Sequence, residues 1–151
     1  MNAVHVHLMP GVRDAIAGHL VSVYPAEGCG ALVGSIAGNL IQISRAVPIA
    51  NVNTVRAEDR YMLDPRSYAS LERELADKRD GTQIVGFFHS HPHAPAVPSH
   101  IDLEDARGLY EFTQAQYVYA ILRTDQGRAG ELRFWVLEDG GFTELSAAEG
   151  C

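Results

Sequence analysis

Two imidazoles and a carboxylate lie close together in the chain. His89-Ser90-His91-Pro92 is followed by Ser99 and then Asp102. This donor set suits a zinc ion held by three protein ligands with one coordination position left open. An open position on zinc is where water is activated for hydrolysis. The chemistry to expect is metal-assisted hydrolysis, provided that the three side chains can meet.

The elements around these residues must bring them together. The run Ile84-Val85-Gly86-Phe87-Phe88 is continuously apolar and predicts a buried strand over 84–90. On a strand, positions i and i+2 share a face, so His89 and His91 can reach one ion at its C-terminal end. Pro92 should stop the strand because it has no N–H for a ladder. Residues 93–98 include Pro95 and Pro98 and form a stiff loop. Ser99 then reads as a helix N-cap, which places Asp102 in the first turn. The positive end of the helix dipole favours an ionised Asp102 there. Taken alone, a His-x-His pair is a weak signal, and Ser99-x-x-Asp102 can be no more than a capping box. Their convergence favours a catalytic metal centre. A closed structural zinc site wants four protein ligands, usually with cysteine, and Cys29 and Cys151 are far apart in the chain.

Hydrolysis also needs a group that takes up and returns a proton. The candidate is Glu27, in Tyr24-Pro25-Ala26-Glu27-Gly28-Cys29-Gly30 between a helical segment and a strand. Pro25 disfavours helix at the residue before it. Gly28 and Gly30 permit close backbone approach. A carboxylate on so tight a connection can reach into a cleft; a solvated loop glutamate fits the same spacing.

With Glu27 and the following Gly28-Cys29-Gly30-Ala31-Leu32-Val33-Gly34, then His89-Ser90-His91-Pro92, Ser99 and Asp102, the chain resembles the JAMM (MPN+) metalloprotease family, prokaryotic single-domain type. The motif spacing matches without insertion or deletion, and the resemblance runs from the first helix to the last strand. It implies that His89, His91 and Asp102 ligate zinc. It further implies that Glu27 holds a water and shuttles its proton, and that Ser99 hydrogen-bonds the developing oxyanion. No motif side chain is missing, which disfavours the metal-free branch of the family. The implied activity is cleavage of amide or isopeptide bonds at the C-terminal tail of a small ubiquitin-like or sulfur-carrier β-grasp protein.

Composition sets bounds. The length of 151 residues fits one domain, 1–151, with a substantial core. A hydrophobic content of 46% argues against disorder. No apolar run reaches the roughly 18 residues of a membrane span, and the N-terminus does not read as a signal peptide. A cytoplasmic location follows by default, and widely separated cysteines agree with a reducing compartment. The net charge of −7 without a basic run argues against a nucleic-acid partner.

Along the chain, 4–9 reads as an edge strand, and 12–24 as a helix with Val12, Ile16, Leu20 and Val23 on one side. Residues 30–36 and 40–49 read as a hairpin about Gly38-Asn39. Residues 50–63 have no apolar period. Asp64-Pro65 starts a second helix that Gly81 ends. A helix from Ser99 to about 113 follows the metal strand. Strands at 117–123 and 131–138 are joined through Asp125-Gln126-Gly127, and a short strand at 142–145 comes last. This order predicts an α/β sandwich with helices flanking a mixed β-sheet, in agreement with the JAMM/MPN, cytidine-deaminase-like fold that the resemblance implies. His5, His7, His93 and His100 read as surface or rim residues, and Cys29 as a small apolar packing group.

Two other functions draw on the same residues. A peptidoglycan or other peptide zinc amidase uses the same metal chemistry. A non-catalytic MPN binding module would not need the full set of Glu27, His89, His91, Ser99 and Asp102. For a protease, pairing of an extended substrate tail with an exposed sheet edge is the expected mode of recognition.

Overall fold

The computed structural model describes residues 4–58 and 60–150. The sequence readings that touch residues 1–3 and Cys151 lie outside them. In chain order the elements are β1 (His5–Leu8), α1 (Val12–Ser22), β2 (Cys29–Ala37), β3 (Leu40–Ile49), α2 (Pro65–Lys78), β4 (Gln83–Pro92), α3 (His100–Thr113), β5 (Val118–Asp125), β6 (Arg128–Glu138) and β7 (Gly141–Glu149).

The sheet is mixed, as expected, but it closes into a barrel in the order β1-β3-β2-β4-β5-β6-β7. This corrects the expectation of an open sandwich sheet. β1 causes the difference. It was expected at an edge, yet it pairs in parallel with β3 through Val6↔Ile41 and with β7 through Val6↔Ala147. Among the described residues every strand therefore has a neighbour on both sides for part of its length, and the one-sided backbone is limited to stretches such as β3 beyond Ile43, which pairs with β2 alone. β7 also extends beyond the predicted 142–145. Ser146, Ala147 and Ala148 carry no apolar alternation to betray a strand, but their backbone closes the ring against β1.

Two cores lie on opposite faces of this sheet. One gathers Val12, Ile16 and Leu20 of α1 with Val6, Leu8, Leu32, Ile43, Phe88, Ala120 and Phe134. The other gathers Leu71 and Leu75 of α2 and Ala106 of α3 with Ala31, Phe87, Tyr119, Ile121 and Trp135. β4 lies between them. Its residues from Val85 to His91 are all buried, which explains why the sequence shows a continuous apolar run instead of alternation. Gly30 is required here, since a Cβ at that position would collide with the Phe88 ring and the Val47 carbonyl.

Local signals map closely onto elements. The β2–β3 hairpin turns at Gly38, with φ 61°. Asp64 caps α2 by accepting from Arg66 N–H at 3.2 Å, with Pro65 in the first turn. The β5–β6 turn places Gln126 at φ 48° and Gly127 at φ 77°, the double left-handed pair of a tight two-residue hairpin. α2 ends earlier than Gly81 predicted, because Arg79 itself adopts the left-handed conformation at φ 53°. None of the helices among the described residues is long and apolar enough to cross a membrane.

Candidate metal centre

β4 presents His89 and His91 on one face at its C-terminal end, with β2 on one side (Cys29↔His89) and β5 on the other (His91↔Arg123). α3 brings the carboxylate. His89 Nε2 lies 3.3 Å from Asp102 Oδ1, and His91 Nε2 lies 3.0 Å from Asp102 Oδ2. The two Nε2 atoms are 3.2 Å apart. Ligand atoms around a tetrahedral zinc with bonds near 2.05 Å are separated by about 3.3 Å. The contacts among the three residues fall near that spacing, reaching His89 through one Asp102 oxygen and His91 through the other, and these residues are the group among the described residues that could hold a metal ion.

The surroundings orient these donors. His91 Nδ1 lies 2.8 Å from the Pro95 carbonyl. Donation from Nδ1–H to that oxygen leaves the Nε2 lone pair for a metal, the outer-shell arrangement that fixes a ligand tautomer. The loop supplying Pro95 is itself anchored. Trp135 Nε1–H donates to Ala96 O at 3.0 Å, and Ala96 N–H donates to Glu131 Oε1 at 3.1 Å. Burial pulls the His91 pKa down, but the Asp102 hydrogen bond, the Pro95 carbonyl and the charges of Asp102 and Glu27 outweigh it and leave it raised. Burial likewise opposes the Asp102 charge, yet His89, His91 and the Ser99 N–H hold its carboxyl far below the usual carboxylate range.

Ser99 caps α3. Its Oγ accepts from Asp102 N–H at 3.1 Å, and Asp102 Oδ2 accepts from Ser99 N–H at 2.8 Å, a complete capping box. The cap and the metal donor set therefore share one carboxylate. Glu27 is buried on the connection into β2 and stands outside the three-donor group. Its charge helps raise the pKa values of both His91 and Cys29. Gly28 and Ser90 bind reciprocally: Gly28 N–H donates to Ser90 Oγ at 2.9 Å, and Ser90 N–H donates to Gly28 O at 3.1 Å. This lashes the Glu27 connection to the metal strand. Gly28 has no room for more, since a Cβ there would sit 2.6 Å from Val23.

Cys29 is fully buried, and its Sγ lies 3.4 Å from Ile49 O. Burial, helped by the Glu27 charge, pushes its thiol up to about 12, so it packs and does not ionise. His93 and His100 lie outside the three-donor group. His93 bridges Tyr24 and Asp125, and His100 pairs with Glu104 on the exposed side of α3.

The roles of two residues escaped the sequence reading, which placed Asn51 only in a polar loop. Tyr61 stacks on His89 with centroids 4.6 Å apart and planes 26° apart, and burial drives its phenol pKa well up. Asn51 hydrogen-bonds the Glu27 carbonyl at 2.9 Å. Both belong to the aperiodic 50–63 segment, where the only available signal was a polar amide and an aromatic without a stripe.

Residues 9–138 match the model of the family described as prokaryotic homologs of the JAB domain. Desampylase from Haloferax volcanii is 34% identical, over 98% of this chain and 99% of its own length. The probable TtuB-protein conjugate cleaving protease of Thermus thermophilus is 31% identical, over 79% of this chain and 70% of its own. A solution structure from Desulfitobacterium hafniense superposes with a TM-score of 0.79 at 22% identity, covering 96% of this chain and 92% of that one; at that identity the likeness speaks for the fold alone. The converging His-His-Asp donors, the barrel that carries them and a family match spanning nearly all of both cores lead to one assignment: the chain belongs to the JAB (JAMM/MPN) family, among its prokaryotic homologs.

Proposed function

We propose that this protein is a zinc-dependent metallo-isopeptidase or peptidase. It hydrolyses amide or isopeptide bonds at the C-terminal tail of a small ubiquitin-like or sulfur-carrier protein, as one domain in the cytoplasm. The observation that carries the reading is the set of donor contacts at 3.0–3.3 Å among His89, His91 and Asp102. The names of the Haloferax and Thermus relatives support the substrate class, the second being named for cleaving TtuB-protein conjugates.

His89, His91 and Asp102 would hold the ion, which when bound would supply Lewis acidity toward the scissile carbonyl and a more acidic water. Glu27 would take the proton from the attacking water and return it to the leaving amine. A buried carboxylate close enough to act on His91 suits that role. Ser99 Oγ accepts the α3 cap bond with a lone pair, so its own hydrogen remains available to donate to a developing oxyanion.

The test is incubation of the zinc-loaded protein with β-grasp proteins from the same organism, conjugated to lysine through a Gly-Gly tail, and mass spectrometry of their C-termini. Release of the intact tail is expected from the wild type. Glu27→Gln should bind zinc and release none. Conjugates left uncut by the wild type would refute the proposal, and full turnover by E27Q would remove Glu27 from it.

A further inference from the structure

Residues 50–63 show no periodicity, yet they grip both the candidate base and the first histidine. The segment closes at its neck through the Asn51↔Leu63 bridge and through Val52 N–H donating to Met62 O at 2.9 Å. Inside that neck the Asn51 amide is fully used. Oδ1 accepts from Asn53 N–H and Met62 N–H, each at 3.0 Å. Nδ2 donates to Arg60 O at 3.1 Å and to Glu27 O at 2.9 Å. Two donors and two acceptor lone pairs are all that a carboxamide has.

Three of these bonds stay within the segment, but the fourth reaches the Glu27 peptide. The segment also holds the preceding peptide unit, since Glu27 N–H donates to Ala57 O at 2.5 Å. Arg60 O and Met62 N–H, which Asn51 also holds, flank Tyr61, whose ring lies on His89. A loop staple alone would need only the local bonds.

We propose that Asn51 is a positioning residue: through one side chain it fixes the backbone of Glu27 and the ring that backs His89. The proposal rests on the hydrolase reading for its consequence in turnover, though not for its consequence in structure. Only a carboxamide fits the role. A carboxylate of the same shape keeps both acceptors but turns oxygen toward two carbonyls, and an apolar side chain keeps nothing.

The test compares Asn51→Asp and Asn51→Ala with the wild type, as full chains loaded with zinc, on the Gly-Gly conjugate. A misplaced base should lower kcat by roughly 10- to 100-fold while KM stays within about twofold. Amide hydrogen exchange of the zinc-free proteins supplies a readout independent of activity. The Glu27 amide should exchange faster in both variants, while the Phe87 and Phe88 amides in β4 keep wild-type protection. N51D retains the acceptor half of the network and serves if N51A does not fold. Wild-type kcat with wild-type exchange at Glu27 would overturn the proposal. So would uniformly faster exchange across β2 and β4 with unchanged kcat, which would make Asn51 a stability residue only. If the wild type leaves the conjugate uncut, the hydrolase reading fails, and exchange at Glu27 alone decides the role of Asn51.

Discussion

Asp102 serves two purposes, and Ser99 takes a second one in the proposed mechanism. Together they close the α3 capping box, and Asp102 also meets both histidines. On that proposal, removing the serine hydroxyl should have two separable effects. Ser99→Ala should cost about 1 kcal/mol of stability as a lost N-cap. It should also lower turnover by roughly 10²–10³-fold as a lost oxyanion donor. Urea unfolding reads the first effect and single-turnover kinetics the second; a rate change below about threefold would leave Ser99 as a cap alone. The sequence showed both readings of this pair at once, because one spacing satisfies both geometries. It also showed the His89 and His91 donors, since strand parity dictates their shared face. It could not show Tyr61 or Asn51. Their roles depend on where an aperiodic segment folds back, and no local preference encodes that.

At the level of elements, the loop between β4 and α3 sets the angle at which histidines and carboxylate meet. Its prolines stiffen it, but β6 fixes it in place, through Trp135 and Glu131 binding the Ala96 peptide on both sides. Trp135→Phe leaves the Ala96 carbonyl unpaired in the interior. This should cost about 1–3 kcal/mol and weaken zinc binding, because Pro95, the neighbour of Ala96, is the oxygen that orients His91. Chelator competition measures the second effect; unchanged zinc affinity would show that the loop holds its position without β6. The elements whose ends carry chemical punctuation were legible: Asp64-Pro65 for α2, Ser99 for α3, and the Gly38 and Gly127 turns. α2 stopped short of its glycine because Arg79 took the left-handed position itself. β7 ran longer than expected because backbone pairing with β1, invisible in side-chain alternation, holds its second half.

For the whole molecule, with His89 and His91 as the proposed zinc ligands, metal and proton would compete for the same imidazoles. Without an ion, the His91 pKa is raised from its ordinary 6.5, because burial, which lowers it, is outweighed by the Asp102 and Pro95 hydrogen bonds and the nearby carboxylates. The stability the His91–Asp102 pair contributes is complete below that ordinary value and is lost as pH rises through the raised one. The Asp102 carboxyl, depressed from 3.8, contributes above its ordinary value and loses that contribution only in acid. Zinc needs neutral imidazoles, so its effect runs the other way and grows with pH. Zinc at about 100 times its Kd should add about 2.7 kcal/mol, and the rise in Tm on adding it should be larger at about pH 8 than at about pH 6. A Tm increment that shrinks between those values would contradict His89 and His91 as ligands. The ring of strands has its own consequence. Flat sheets with bare flanks invite other chains to zip onto them, and β1, held between β3 and β7, leaves no such flank running the length of the sheet. Among the described residues the backbone left open on one side is confined to short stretches, such as β3 beyond Ile43, which pairs with β2 alone, so the sheet offers another copy of the chain little to template on.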